Sequence, residues 1–113
     1  MIDQVVLVAS DVLGIGSDDL GRILMRSFMK TLLADPARWP ETMIFINAGV
    51  HLTCEGSELL PELRALSEQG VDVLSCGTCL DFFASKDNLK AGSVTNMAVI
   101  VNKLLSANSV VRL

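Results

Sequence analysis

Val71-Asp72-Val73-Leu74-Ser75-Cys76-Gly77-Thr78-Cys79-Leu80-Asp81-Phe82-Phe83-Ala84 is the stretch that decides the fold. Residues 71–75 form a short apolar run bounded by Gly70, which reads as a buried strand. Leu80–Ala84 reads as a short helix. The two cysteines lie between them, three residues apart, on a turn that feeds the helix N-terminus. Free N–H groups and the helix dipole favour an anion at such a point, so the spacing predicts a stabilised thiolate.

Outward from this stretch, strands and helices alternate. Gln4–Ser10 is a β-branched apolar strand, and Asp11–Gly16 is a loop with two glycines. Ser17 or Asp18 can cap a long helix with acids in its first turn. Leu20, Ile23, Leu24, Phe28 and Leu32 fall on one face of it at helical spacing, and Met25 and Met29 read as core or interface. The helix ends before Asp35-Pro36, because the residue before proline avoids helical geometry. Trp39, before Pro40, is expected to cover a core edge. Glu41–Asn47 is the second strand. Ser57–Gln69 is the second helix, with Pro61 in its first turn, and Gly70 is suited to the position after its end. Ser93–Thr95 is a brief fourth strand, Asn96 can cap a helix to about Ala107, and Ser109–Leu113 is a fifth strand. This order predicts an α/β fold: a three-layer α/β/α sandwich with a mostly parallel five-stranded sheet, as one domain over residues 1–113.

Composition narrows the function. The chain has 113 residues, of which 50% are apolar, with one Trp, four Phe and no Tyr. Mean hydropathy is +0.48, high for a chain that must close a single small core, so surplus apolar surface is expected to enter subunit contacts. No apolar run reaches the roughly 18 residues of a spanning helix, and no membrane partner is expected. Met1-Ile2-Asp3 leads into a strand without the features of a signal peptide, so the expected compartment is the cytoplasm. A net charge of −4 with no basic run argues against nucleic acid. Three cysteines, an odd count, argue against a disulfide framework in a reducing compartment.

Sites on open parallel sheets gather beyond the carboxyl ends of the strands. Here those ends carry Ser10-Asp11, Asn47 through Cys54, Ser75 through Cys79, and Thr95-Asn96. Cys76 and Cys79 are the candidate catalytic residues, with His51, Asn47, Thr78 and Asn96 as candidate supporting residues. Three readings of the thiols stand side by side. They carry sulfur chemistry, including thiol redox chemistry; they pack as small hydrophobes; or they belong to a metal- or partner-binding module, joining His51-x-x-Cys54 in a zinc set of one His and three Cys. If the second and third strands flank the first, the two close pairs start about 10 Å apart, twice the interstrand spacing. On its own, Cys54 reads as a packing residue and Asn96 as a helix cap. Gly14-x-Gly16 reads as a tight turn rather than a phosphate cradle, because the third glycine is displaced to Gly21. No metal and no cofactor is assigned. No acid–base constellation accompanies the thiols, which argues against a high-turnover enzyme.

A wider pattern carries a family resemblance. Leu13-Gly14-x-Gly16, Leu20-Gly21-x-x-Leu24-Met25, Phe28, Asn47-x-Gly49-Val50, Gly56-Ser57, Gly70-Val71, Cys76-Gly77-Thr78-Cys79-Leu80-Asp81, Gly92 and Thr95-Asn96-Met97 together resemble the DsrE-like domain of YedF-type selenium-metabolism proteins. The resemblance spans essentially the whole chain. It implies a flavodoxin-like fold of the DsrE/DsrF/TusD group, a homo-oligomer (trimer or hexamer), and relay of sulfur as a cysteine persulfide. In that group the sulfur-bearing cysteine follows the third strand, which implies that Cys76 carries the atom and Cys79 modulates or resolves it. It also implies a sulfur donor or acceptor protein as partner, of TusA-like kind, since YedF-type proteins usually carry a TusA-like domain beside the DsrE-like one.

Overall fold

In the computed structural model, which describes residues 1–113, five strands form one sheet in the order β4-β3-β2-β1-β5. They are β1 (Ile2–Val8), β2 (Pro40–Phe45), β3 (Asp72–Cys76), β4 (Ser93–Thr95) and β5 (Ser109–Arg112). Every pairing is parallel. Four helices connect them: α1 (Asp18–Leu33), α2 (Leu60–Glu68), α3 (Gly77–Phe82) and α4 (Met97–Ser106). The fold is the α/β layered arrangement that the alternation predicts.

The strand order explains the layers. The chain steps from β1 to β2, β3 and β4 in one direction, and right-handed crossovers place α1, α2 and α3 on one face. The last connection returns across the sheet to β5, so α4 lies on the opposite face. Strand alternation then sorts the side chains. Val6, Val8, Met43, Phe45 and Val73 pack with Met25 and Met29 of α1, Leu63 and Leu66 of α2, and Leu80 of α3. Val5, Ile44 and Cys76 point the other way and pack with Ile100 of α4. The first layer holds 16 buried residues and the second only 4. The cohesion of the fold therefore rests on the first, at about 1.5–3 kcal/mol for each large apolar side chain removed from water.

Local signals set the ends of the elements. Ser17 caps α1, its hydroxyl accepting from the Leu20 N–H. Asn96 caps α4 by accepting from the Val99 N–H at 3.0 Å. Gly14 and Gly16 take φ of +87° and +144°, as a turn requires. Trp39 packs on the main core and its indole N–H donates to the Leu32 carbonyl.

Three expectations are corrected. The helix expected over Ser57–Gln69 starts at Leu60, after the turn residues Ser57–Leu59. The strand expected over Glu41–Asn47 ends at Phe45, and Asn47 has left it with a φ of +51°. On α1 the core face is Gly21, Met25 and Met29. Leu20, Ile23 and Leu24 are exposed, and Phe28 and Leu32 are half-buried at the core margin. Gly21 decides this rotation: a Cβ there would meet the Val12 side chain at 2.8 Å, so α1 presses this point onto the loop after β1.

The apolar surplus is also visible. Only 27 of 113 residues are buried. Met97, Val99, Val101 and Leu105 of α4 are exposed, as are Val94, Val110 and Val111 of the edge strands. No helix is long and apolar enough to cross a membrane.

Candidate functional site

Cys76 ends β3 and stands at the N-cap of α3, and Cys79 is the third residue of that helix. Gly77 between them is a close approach. A Cβ there would lie 3.1 Å from the Val94 side chain and 3.2 Å from the Thr95 carbonyl oxygen of β4. The third strand can thus turn into α3 directly beside the fourth.

The two thiols are unequal. Cys76 is 1% exposed and packs in the small core with Val5, Ile44 and Ile100. By strand alternation its side chain points inward, beneath α4. Cys79 is half-buried and packs at the margin of both cores, beside Cys76. Its Sγ accepts the backbone N–H of Asn47 at 3.1 Å.

That amide is aimed by the loop after β2. Asn47 takes a left-handed φ, tolerated by Asn because its short side chain bonds locally, and here its Oδ1 accepts the Ala48 N–H at 2.8 Å. Gly49 then sits against the end of β1, where any Cβ would overlap the Val8 carbonyl. The Ile46 N–H donates to that same carbonyl at 3.0 Å. Sheet, loop and thiol are therefore mechanically linked.

The expected thiolate stabilisation is overturned. Burial pushes the Cys79 thiol up from its ordinary value, the Asn47 N–H offsets part of the rise, and the neighbouring Cys76 adds to it. Desolvation is the largest cause, and the one backbone hydrogen bond that lowers the pKa does not cancel it.

The zinc set does not assemble. With β2 directly beside β3, the two loops are neighbours, and the arrangement in which β1 separates them does not occur. Yet no three His, Cys, Asp or Glu side chains converge in a ligating arrangement. The reason is the sheet. Cys54 is buried in the main core, near the Ser85 carbonyl at 4.0 Å, whereas Cys76 lies in the small core on the opposite face. Burial raises the Cys54 thiol, and a hydrogen bond from Thr53 lowers it in part. Cys54 is thus the packing residue expected of it.

The supporting residues divide similarly. His51 stacks on Phe83, with ring centroids 4.5 Å apart, and lines a 460 Å³ cavity with Asp11, Arg22, Arg26 and Cys54. The structure gives it no bond to a thiol. Thr78 is exposed. Asn96 follows Thr95, the register partner of Cys76, and its side chain is occupied as the α4 cap. Of the four, Asn47 is the one hydrogen-bonded to a thiol, and it acts through its backbone. A side-chain reading of sequence has no signal for such a contact.

The fold recurs in solved structures. The chain is similar to the ychN protein of E. coli, with a TM-score of 0.74 and 17% identity over 100% of both chains. It is also similar to MTH1491 of Methanobacterium thermoautotrophicum, with a TM-score of 0.69 and 21% identity over 97% of both chains. BT1422 of Bacteroides thetaiotaomicron matches with a TM-score of 0.66 and 16% identity, covering 98% of this chain and 95% of that one. The latter two are described as proteins of unknown function. At these identities the likeness establishes a shared, DsrE-like fold. No protein-family model and no curated protein matches the chain.

Proposed function

We propose that this chain is a relay protein that carries sulfur as a cysteine persulfide, or selenium in the analogous form, with Cys79 as the receiving thiol and Cys76 as its partner. The observation that carries this reading is the pairing of a half-buried, amide-bonded thiol with a fully buried one on the same helical turn. A donor of the form R–S–SH can reach Cys79. Attack by the Cys79 sulfur on the outer sulfur of the donor forms the new S–S bond and expels R–S⁻. The Asn47 N–H then holds the loaded sulfur in place without demanding a charge on it. A raised thiol pKa makes Cys79 a poor leaving group, so the carried atom is released slowly. The assignment places the carried atom on Cys79 instead of Cys76, because a 1% exposed sulfur is closed to a partner protein.

The motif Cys76-Gly77-Thr78-Cys79-Leu80-Asp81 and the DsrE-like fold support placing the chain with the YedF-type group, and a TusA-like protein is the partner class that follows. The cytoplasm, where thiols stay reduced, is the compartment this chemistry needs. A homo-oligomer, trimer or hexamer, accounts for α4. Its sequence Met97-Ala98-Val99-Ile100-Val101-Asn102-Lys103-Leu104-Leu105-Ser106 is apolar on nearly every side, the pattern of a helix buried all round, yet Ile100 is its one buried residue.

The test is intact mass after exposure to inorganic polysulfide. Cys76→Ser should gain the mass of one sulfur, removable by dithiothreitol, and Cys79→Ser should gain none. Gain by Cys79→Ser with none by Cys76→Ser would reverse the roles, and gain by neither would remove the relay reading.

A further inference from the structure

We infer that the chain also reduces its own cargo: when no acceptor takes the sulfur from Cys79, Cys76 displaces it as sulfide and the two cysteines close a disulfide. This step rests on the relay reading and adds an activity to it.

The geometry carries the step. Cys76 and Cys79 are the N-cap and third residue of α3, so they lie at i and i+3 on one face of the first turn. Such pairs stand about 5–6 Å apart at Cβ, and a disulfide needs about 3.5–4.5 Å, which a small adjustment of one turn supplies. Both sulfurs pack against the same small cluster of Val5, Ile44 and Ile100. At 1% exposure, Cys76 has access to little besides that cluster and Cys79. A fully buried thiol next to a loading site is poorly placed to meet a donor and well placed to attack the loaded residue from behind.

The chemistry balances without a further oxidant. The Cys76 sulfur attacks the Cys79 Sγ of the Cys79–S–SH group. The Sγ–S bond breaks, the Cys76–Cys79 bond forms, and the outer sulfur leaves with the Cys76 proton as hydrogen sulfide. Over the whole sequence, one sulfane atom and two thiols give one disulfide and one hydrogen sulfide. The sulfane atom takes up two electrons, one from each cysteine. A thiol reductant resets the pair, so without one the protein turns over once.

The experiment loads the reduced chain briefly with inorganic polysulfide, removes the excess by rapid desalting, and follows intact mass and free sulfide together. The parent should lose its added sulfur, end two hydrogens lighter than the reduced chain, and release one sulfide per loaded chain. Cys76→Ser should keep the sulfur and release none. Cys76→Ala, which buries no hydroxyl, should behave likewise if the serine variant folds poorly. Cys54→Ser should match the parent. A parent that keeps its sulfur as long as Cys76→Ala, or loses it without losing two hydrogens, overturns this inference and leaves the relay standing. If no variant ever takes up sulfur, both fall.

Discussion

Gly49→Ala tests whether the loop that aims the Asn47 amide is pinned to the sheet. A Cβ at residue 49 would sit inside 3.0 Å of the Val8 carbonyl oxygen, and the obstacle is backbone that cannot rotate away. The loop must lift from β1, and the Ile46 N–H to Val8 O bond, 3.0 Å in the parent, is lost with it. An unsatisfied buried acceptor costs about 1–3 kcal/mol, and forced displacement of packed groups about 1–3 kcal/mol. The combined effect is about 3 kcal/mol. At about 4 °C per kcal/mol for a chain of this size, the Tm should fall by about 12 °C. Gly56→Ala is the control. Residue 56 has a φ of +92° and no atom within 4 Å of the place a methyl would occupy, so it bears only the left-handed backbone cost of about 1–2 kcal/mol. Calorimetry gives both Tm values, and the pH dependence of Cys79 alkylation reports the site. Gly49→Ala should melt below Gly56→Ala and move the alkylation profile to higher pH, because the amide that lowers the Cys79 pKa has moved away. Equal melting of the two variants with an unchanged profile would refute the linkage between loop and thiol.

The other predictions concern pH and assembly. Cys79 and Cys54 are both raised above the ordinary thiol value of 9.0 by burial. Above that value the unfolded chain gives up its thiol protons while the folded chain keeps them. Stability is therefore full below about pH 9 and falls as pH rises through the folded values. Urea midpoints should drop from about pH 8 to about pH 10.5, with a shallower drop in Cys54→Ser/Cys79→Ser; equal slopes would contradict the burial account. On α4, Val101 and Leu105 lie one turn apart and Leu105 is 82% exposed. Val101→Asp/Leu105→Asp should sediment as a monomer with unchanged circular dichroism, whereas a parent that is already monomeric at micromolar concentration would contradict assembly through this helix.

Much of the fold was legible because local chemistry and chain order agree. Ser17 and Asn96 cap the helices that they precede, Asp35-Pro36 follows the end of α1, and alternating strands and helices leave parallel pairing as the natural outcome. Strand order was not legible, since either side of β1 can accept β3 without changing any local pattern. That ambiguity spread to the site. The expected separation of the zinc pairs depended on β1 lying between the two loops, and the orientation of Cys76 depended on which face α4 covers. The period-two alternation from Val73 to Cys76 puts Leu74 and Cys76 on one face, but only the crossover directions make it the thinly covered face. On α1, helical spacing offers two overlapping apolar stripes. The contact of Gly21 with Val12, a long-range fact, selects the one with Met25 and Met29. The Asn47 amide was hidden for a different reason: a backbone donor depends on a φ, not on a side chain.

The central claim is that Cys79 receives the sulfane atom. Site-resolved trapping tests it most directly. The parent is exposed to inorganic polysulfide, alkylated at once, and digested, and fragmentation of the peptide holding Cys76-Gly77-Thr78-Cys79 locates the trapped persulfide. The account predicts the extra sulfur on Cys79 at the earliest time, with Cys54 unmodified. An extra sulfur that appears first on Cys76 or on Cys54 would contradict it.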